Sequence, residues 1–365
     1  MEHEITASGS LHDAQGRLRE PGWARSLLLD YDRDSVRAPK WRIKEWDYYM
    51  VHAGTFGIAF TVADNGYMGF VGATVFDFAQ RAETSKSVMT VFPMGKMGLP
   101  RHSKEGVTEA RAGGASLRFE ASNGKRRLVF SWPGFGAAPG SAAPGSAAPG
   151  SGGPAPAPAL DLSGEILLEE TGPDSMVIAT PFSGAARAFY YNQKINCQDA
   201  TGSFRLGDRA FVLEKGRAFA VLDWGRGVWT WSNVWYWGSA SGRLALPDGS
   251  NPRFGFNIGH GFGDTSAAGE NMVFFEGRAH KIGTLLIEID HGDFLAPWRA
   301  RSGDGRFDLT LTPSLDRASS TNLLVIASIQ HQVFGSWSGT VILDDGRKLE
   351  VRDFPGFCEK VMNRW

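Results

Sequence analysis

From Trp41 onward the chain either alternates apolar and polar positions at a period of two, the spacing that sends successive side chains to opposite faces of a strand, or runs in apolar β-formers. Runs at Ile43 to His52, Phe56 to Ala63 and Tyr67 to Phe78 follow one another, and the Asn65-Gly66 pair between two of them is a strong signal for a two-residue hairpin turn. These three runs read as an up-and-down meander. Phe92 to Gly106 reads as an irregular loop, and Leu117 to Ala121 with Arg127 to Trp132 as a hairpin around Ser122-Asn123-Gly124. Leu160 to Glu170 and Met176 to Thr180 predict a further hairpin. Beyond Pro181 to Ala188 come short apolar runs, among them Ala188 to Gln198, Phe254 to Gly261, Ala279 to Ile289, Leu323 to Val333 and Lys348 to Arg352. Glu276-Gly277, Asp304-Gly305 and Asp345-Gly346 mark turns between such runs. No convincing helical period exceeds about ten residues. The pattern allows one helical turn around Ala24 to Leu29 and a closing one within Gly356 to Trp365.

This spacing of short strands and turns predicts an all-β chain of two antiparallel barrels or sandwiches packed side by side. Residues 1–40 read as an arm able to plug or wrap a barrel, 41–183 as a first barrel and 184–365 as a second. Within the first, the unit AAPGS occurs three times from Ala137 to Ser151 and passes into GGPAPAPA. Such a composition buries no core and behaves as a flexible or partly extended linker. It reads as an insertion at 137–158 between adjacent strands, because lengthening a loop costs little.

The densest aromatic stretch runs from Asp223 to Gly242 and holds five of the twelve tryptophans. Trp229, Trp231, Trp235 and Trp237 are spaced in twos, which points to shared strand faces. A buried Trp removes roughly 150 to 250 Å² from water, so this run is either core or the wall of an aromatic pocket.

Composition narrows the function classes. At 365 residues the chain can bury two cores, and 42% hydrophobic with 21% charged residues is ordinary for a globular protein. A net charge of −1 and the absence of a basic block argue against a nucleic-acid partner. Cys197 and Cys358, far apart and without a CxxC companion, build neither a disulfide framework nor a zinc site. No signal-peptide pattern and no run of about 18 apolar residues occurs, so a cytoplasmic location without membrane insertion is expected. No HxH or HExxH set, dinucleotide loop or P-loop is present, and no cofactor is expected.

Candidate chemistry concentrates in FGFNIGHGFGDTSAAGENM, where Asn257, His260, Asp264, Glu270 and Asn271 alternate with glycines that leave room beside them. One reading is a polar floor in which His260 moves protons, oriented by Asp264 or Glu270. The other is an ordered loop whose carboxylates cap backbone amides. Asp223 and Arg226 read either as a buried ion pair or, for Asp223, as a general acid raised by aromatic surroundings. Lys194 and Asn196 are candidates for the same cavity, and Cys197 reads as a small buried hydrophobe. His52 and His102, from the other half, read as core or loop residues.

Five segments, KINC at Lys194, FAVLDWGRGVW at Phe219, WYWGSASG at Trp235, FGFNIGHGFGDTSAAGENM at Phe254 and DGRFDLTLTP at Asp304, resemble a bacterial family known only as a domain of unknown function. In the N-terminal half WDYY and DNGYMG carry the same resemblance. More distantly the chain is similar to the paired lipocalin-like barrels of carotenoid hydratases, tocopherol cyclases and some Diels-Alderases, and Gly335-Ser336-Trp337 resembles the lipocalin Gly-x-Trp signature. That resemblance implies binding, with acid-catalysed hydration or cyclisation as its extension, of a small apolar lipid- or isoprenoid-like molecule. Asp223, His260, Asp264 and Glu270 are then the catalytic candidates. Lys194, Asn196, Arg226, Trp229, Trp235, Trp237, Asn257 and Asn271 are the ligand-binding ones. Trp stacking on sugar rings beside paired carboxylates, or a non-catalytic binding scaffold, are the alternatives.

Overall fold

A computed structural model of the chain describes residues 2–137, 159–323 and 326–364. Regular structure among these is strand, apart from two 3-10 turns at Arg33–Ser35 and Lys40–Arg42. Short N-terminal strands β1 (Gly9–Ser10), β2 (Gly22–Ala24) and β3 (Leu29–Asp30) precede the meander of β4 (Ile43–His52), β5 (Phe56–Asp64), β6 (Met68–Asp77) and β7 (Ala82–Val91). Next come β8 (Gly106–Ala112), β9 (Ala115–Ser122), β10 (Lys125–Ala137) and β11 (Ala159–Glu169). They lead to β12 (Met176–Pro181), β13 (Phe189–Leu206), β14 (Arg209–Leu213) and β15 (Phe219–Val228). The chain then builds β16 (Ser232–Arg243), β17 (Arg253–His260), β18 (Met272–Phe275), β19 (Arg278–Lys281) and β20 (Leu285–Glu288). It ends with β21 (Trp298–Ser302), β22 (Phe307–Leu323), β23 (Ile326–Ile342) and β24 (Lys348–Arg364).

Two rolled antiparallel sheets result, lying side by side. The larger runs β7-β6-β5-β4-β15-β13-β11-β10-β9-β8, with β2, β12 and β14 attached. The smaller runs β19-β18-β17-β16-β24-β23-β22-β21-β20. Lys86 of edge strand β7 donates to the Gly134 carbonyl in β10 and rolls the larger sheet back on itself, while β20 returns beside β17 to roll the smaller one. Inside the first roll pack Val51, Phe60, Leu117, Leu128, Ile166 and Trp224, and inside the second Phe254, Phe256, Trp298, Leu309 and Trp337. No helix among the described residues is long and apolar enough to cross a membrane.

All ten residues of β15 are buried, as are the first twelve of β13. A strand that alternates toward a core and toward water cannot show that pattern, so both faces must be covered. Leu222 and Trp224 enter the first roll, whereas Val221 joins Tyr48, Met50, Trp237, Phe334 and Phe357 in a second apolar layer lodged between the sheets. A further seam of Tyr190, Trp229, Phe262 and Met272 continues it.

Several sequence-based expectations change here. The changeover between sheets falls at residues 229–231 and not at 184, because β13, β14 and β15 all pair within the larger sheet. The Pro181 to Ala188 stretch that suggested a boundary is the turn of the β12–β13 hairpin. β12 pairs with β13 and β2, so it forms no hairpin with β11. Ala24 is strand, and β24 stays extended to Arg364 where a helical turn was expected. Residues 138–158 lie outside the described residues, but their flanks, Ala137 and Ala159, are paired neighbours on adjacent strands. From the arm, Leu11, Leu29, Tyr31 and Val36 pack into the first core, and the His3 amide bonds to the Ala267 carbonyl across the seam.

Candidate functional site

Strand register builds the site in layers. On the larger sheet Val221 pairs with Met50 and, two residues along the same faces, Asp223 pairs with Tyr48. On the smaller sheet Ser239 pairs with Phe357 and Trp237 with Glu359, while β23 adds Phe334 and Gln332 at the same two levels. Two residues of strand advance about 7 Å. An apolar layer of Met50, Val221, Phe334 and Phe357 therefore lies directly beside a polar layer of Asp223, Glu359, Gln332 and Tyr48. The apolar layer opens into a cleft of about 200 Å³ that extends to His52, Gly54, Phe78 and Pro355.

Lys194 enters the polar layer from β13, where it pairs in register with Asp223. Its Nζ lies 2.6 Å from Asp223 Oδ2 and 4.0 Å from the ring centroid of Trp237. Asp223 also accepts from Asn192 Nδ2 at 2.6 Å and from the Trp46 indole N–H at 3.1 Å. Trp46 is seated by Gly225, its cross-strand partner, because a Cβ there would overlap the six-membered ring. Trp237 in turn donates to Asn257 Oδ1 at 2.7 Å, and Asn257 Nδ2 donates to the Glu270 carbonyl at 2.7 Å.

Two further carboxyls stand in this enclosure. Glu359 is 5% exposed; its Oε2 accepts from Gln330 at 3.0 Å and Gln332 at 3.3 Å, and its Oε1 accepts from the Trp235 indole N–H at 3.3 Å. Glu270 keeps some surface as a residue, but its Oε2 is enclosed and meets no hydrogen-bond donor. Burial pushes both acids up to about 7, against the pull of Lys194, which is the largest opposing charge on each. Asp223 raises both further through like-charge repulsion. Gly259 makes the space for Glu270, since a Cβ there would collide with its carboxyl.

Among the expected site residues, Lys194, Asn196, Asp223, Trp235, Trp237, Asn257 and Glu270 all face the seam. Asn196 donates to Ser239 Oγ at 2.8 Å and to the Phe256 carbonyl at 2.9 Å, so it ties the sheets together. Trp229 leaves the strand and packs against Trp46, Trp235 and Phe262. The tryptophan run is thus no single strand face: it is the crossing between sheets, and Trp231 is 53% exposed.

Others lie elsewhere. Arg226 does not pair with Asp223, because three residues along a strand reverses the face. It points into the first roll, 3.1 Å from Asp47 and stacked over Trp224 at 4.2 Å. Asp264 sits on a surface turn, where it accepts from Ser183 Oγ at 2.9 Å and the Ser266 amide at 3.1 Å, the capping arrangement rather than the catalytic one. His260 faces Tyr236 on the opposite side of β17 from Asn257, so Asp264 does not orient it. Asn271 accepts from the Gly259 amide at 2.8 Å and serves as a strut. Cys197 is buried in a β-bulge, its thiol pushed up to about 12 by burial. His102 is exposed in its loop. Among the described residues no group of three or more His, Cys, Asp or Glu is placed to hold a metal ion.

Glu359, Gln332, Asn192 and Trp46 were missed by sequence reasoning. For Glu359 a signal existed: in FCEKV it shares strand phase with Phe357 and Val361, a charge on an otherwise apolar face.

Among solved structures the chain is similar to kievitone hydratase from Nectria haematococca, with 10% identity over 88% of each chain and a TM-score of 0.49. It is also similar to a Nitrosomonas europaea protein provisionally called AttH, with 10% identity over 92% of this chain and 96% of that one and a TM-score of 0.45. At these values no residue role or activity carries over. Among curated proteins none matches. The family model described as domain of unknown function DUF2804 matches residues 2–149 and 151–365, and the chain belongs to that family.

Proposed function

We propose that the protein binds a small, largely apolar molecule between its two sheets and converts it by proton transfer from a buried carboxylic acid. The observation that carries this reading is one buried ammonium, Lys194, facing three carboxyls. Asp223 is its direct partner. Glu270 and Glu359 are left to hold protons near neutral pH, where a general acid is most useful.

Glu359 is the better placed donor, because it shares a strand face with Phe357 in the cleft wall. In a hydration, its O–H bond would break as a C–H bond forms on a double bond of the ligand. Water would add to the other carbon, and its surplus proton would return to the carboxylate. In a cyclisation an internal nucleophile replaces the water. Positive charge developing in the cleft would face Phe334 and Phe357, since the ring of Trp237 is already covered by Lys194. The sugar-stacking alternative finds little support: Trp235 and Trp237 meet Phe262, Tyr48 and Phe357 edge to face, leaving no broad indole platform.

The test is deuterium incorporation. The protein would be incubated in D2O with a panel of small neutral alkenes and enones, and products read by mass spectrometry. Turnover should fall by roughly 100-fold or more in Glu359→Gln. A variant within twofold of the wild type would remove Glu359 from the role, and no incorporation with any member of the panel would remove the reading.

A further inference from the structure

We infer that the cleft is a size-limited site for an uncharged ligand head of roughly eight to ten non-hydrogen atoms, a single ring or a short branched chain, whose inner end abuts the polar layer that holds Glu359. The inference rests on the function proposed above and adds the class of molecule. An apolar cavity of about 150 Å³ accepts benzene, and sites for drug-sized ligands begin at roughly 300 Å³. The 200 Å³ between these sheets falls between the two.

Three features set the limit. The inner end is closed by the polar layer, where Trp237, Tyr48 and the Lys194–Asp223 pair are packed and hydrogen-bonded, so a long chain cannot thread through. The walls are Met50, Phe78, Val221, Phe334 and Phe357, with no Lys, Arg, Asp or Glu among the residues lining the cleft. A charged head would therefore lose its hydration without compensation. Of the hydroxyls, Ser314 donates to the Phe334 carbonyl, while Ser239 and Ser241 accept from Asn196 and the Cys197 amide and keep an O–H to offer a neutral oxygen on the ligand. The outer end, at Gly54 and His52, is where a small polar group on the ligand would meet water.

The test is a series of primary alcohols from hexanol to hexadecanol, with single-ring and two-ring phenols, titrated against the full chain by calorimetry. Affinity should rise about fourfold per methylene and stop rising near ten carbons. Two-ring phenols should bind at least tenfold more weakly than single-ring ones. Val221→Ala, which enlarges the cleft without touching the polar layer, should move the optimum to longer chains by one or two carbons. Affinity that climbs steadily to sixteen carbons, or an optimum unmoved in Val221→Ala, overturns the size limit while leaving proton transfer by Glu359 standing if deuterium incorporation is seen. Failure of every alcohol and phenol to bind overturns both.

Discussion

The ammonium of Lys194, carried by the larger sheet, lies 4.0 Å from the ring centroid of Trp237, carried by the smaller one. With Asp223 at 2.6 Å behind it, a single side chain joins an ion pair to a cation–π contact across the seam. Removing it strands Asp223 among aromatic rings. Lys194→Met should cost about 3–5 kcal/mol at neutral pH, the range for breaking a buried pair. Adding Asp223→Asn should recover a large part of that. Urea denaturation of the two variants checks it, and a single-variant loss under about 1 kcal/mol would contradict the pairing.

Glu359 gives stability a recognisable pH dependence. In the unfolded chain a glutamate releases its proton near 4.5, whereas burial holds the folded one to about 7. Between those values folding takes up a proton, so this contribution falls as pH rises and is level above about 7. Glu270, pushed up to about 7 as well, acts in the same sense, and His52, pushed down to about 4 by burial, acts in the opposite sense below 6.5, so the total curve mixes all three. The difference between wild type and Glu359→Gln isolates the acid. The variant should gain on the wild type by about 2–3 kcal/mol from pH 4.5 to pH 8, and parallel curves would mean Glu359 is not held protonated.

Two glycines act as seats. Gly225→Ala would push against the Trp46 ring and Gly259→Ala against the Glu270 carboxyl. Overpacking of this kind costs about 1–3 kcal/mol. The Gly225 variant should also move the tryptophan emission, because Trp46 would lose its contact with Asp223. Unchanged stability and emission in both would mean the space is not needed.

Residues 138–158 can be replaced by a short turn. Their flanks are adjacent on paired strands, so closure requires only a hairpin. Thermal midpoint should change by no more than a few degrees, since shortening a loop alters its closure entropy by roughly 0.6 kcal/mol per halving of length. A drop above ten degrees would show that the segment packs on the folded body.

Much of the architecture was legible because strand periodicity is local. Ile43 to His52 and Asn65-Gly66 announced β4 and the turn that follows β5. Lys194, Asp223, Trp237 and Asn257 stood out as polar or aromatic residues within apolar strands, and Glu270 as a carboxylate in the glycine-rich segment that follows β17. What sequence could not supply was which distant strands face one another. Asp223 meets Lys194 because β15 and β13 are neighbours, and Glu359 joins them through a strand at the other end of the chain. The pairing of Asp223 with Arg226 failed on strand phase. His260 failed on strand phase as well, three positions from Asn257 on β17, and Asp264 failed because it lies on the turn beyond the end of that strand, where Ser183 and the Ser266 amide hold it.

Strands β4, β13 and β15 are walls of two cores at once, one inside the larger roll and one shared with its neighbour. Melting either roll alone would bare the reverse side of those strands to water. Heating should therefore produce one calorimetric transition for the whole molecule, with equal van't Hoff and measured enthalpies, although the chain is long enough for two independent folding units.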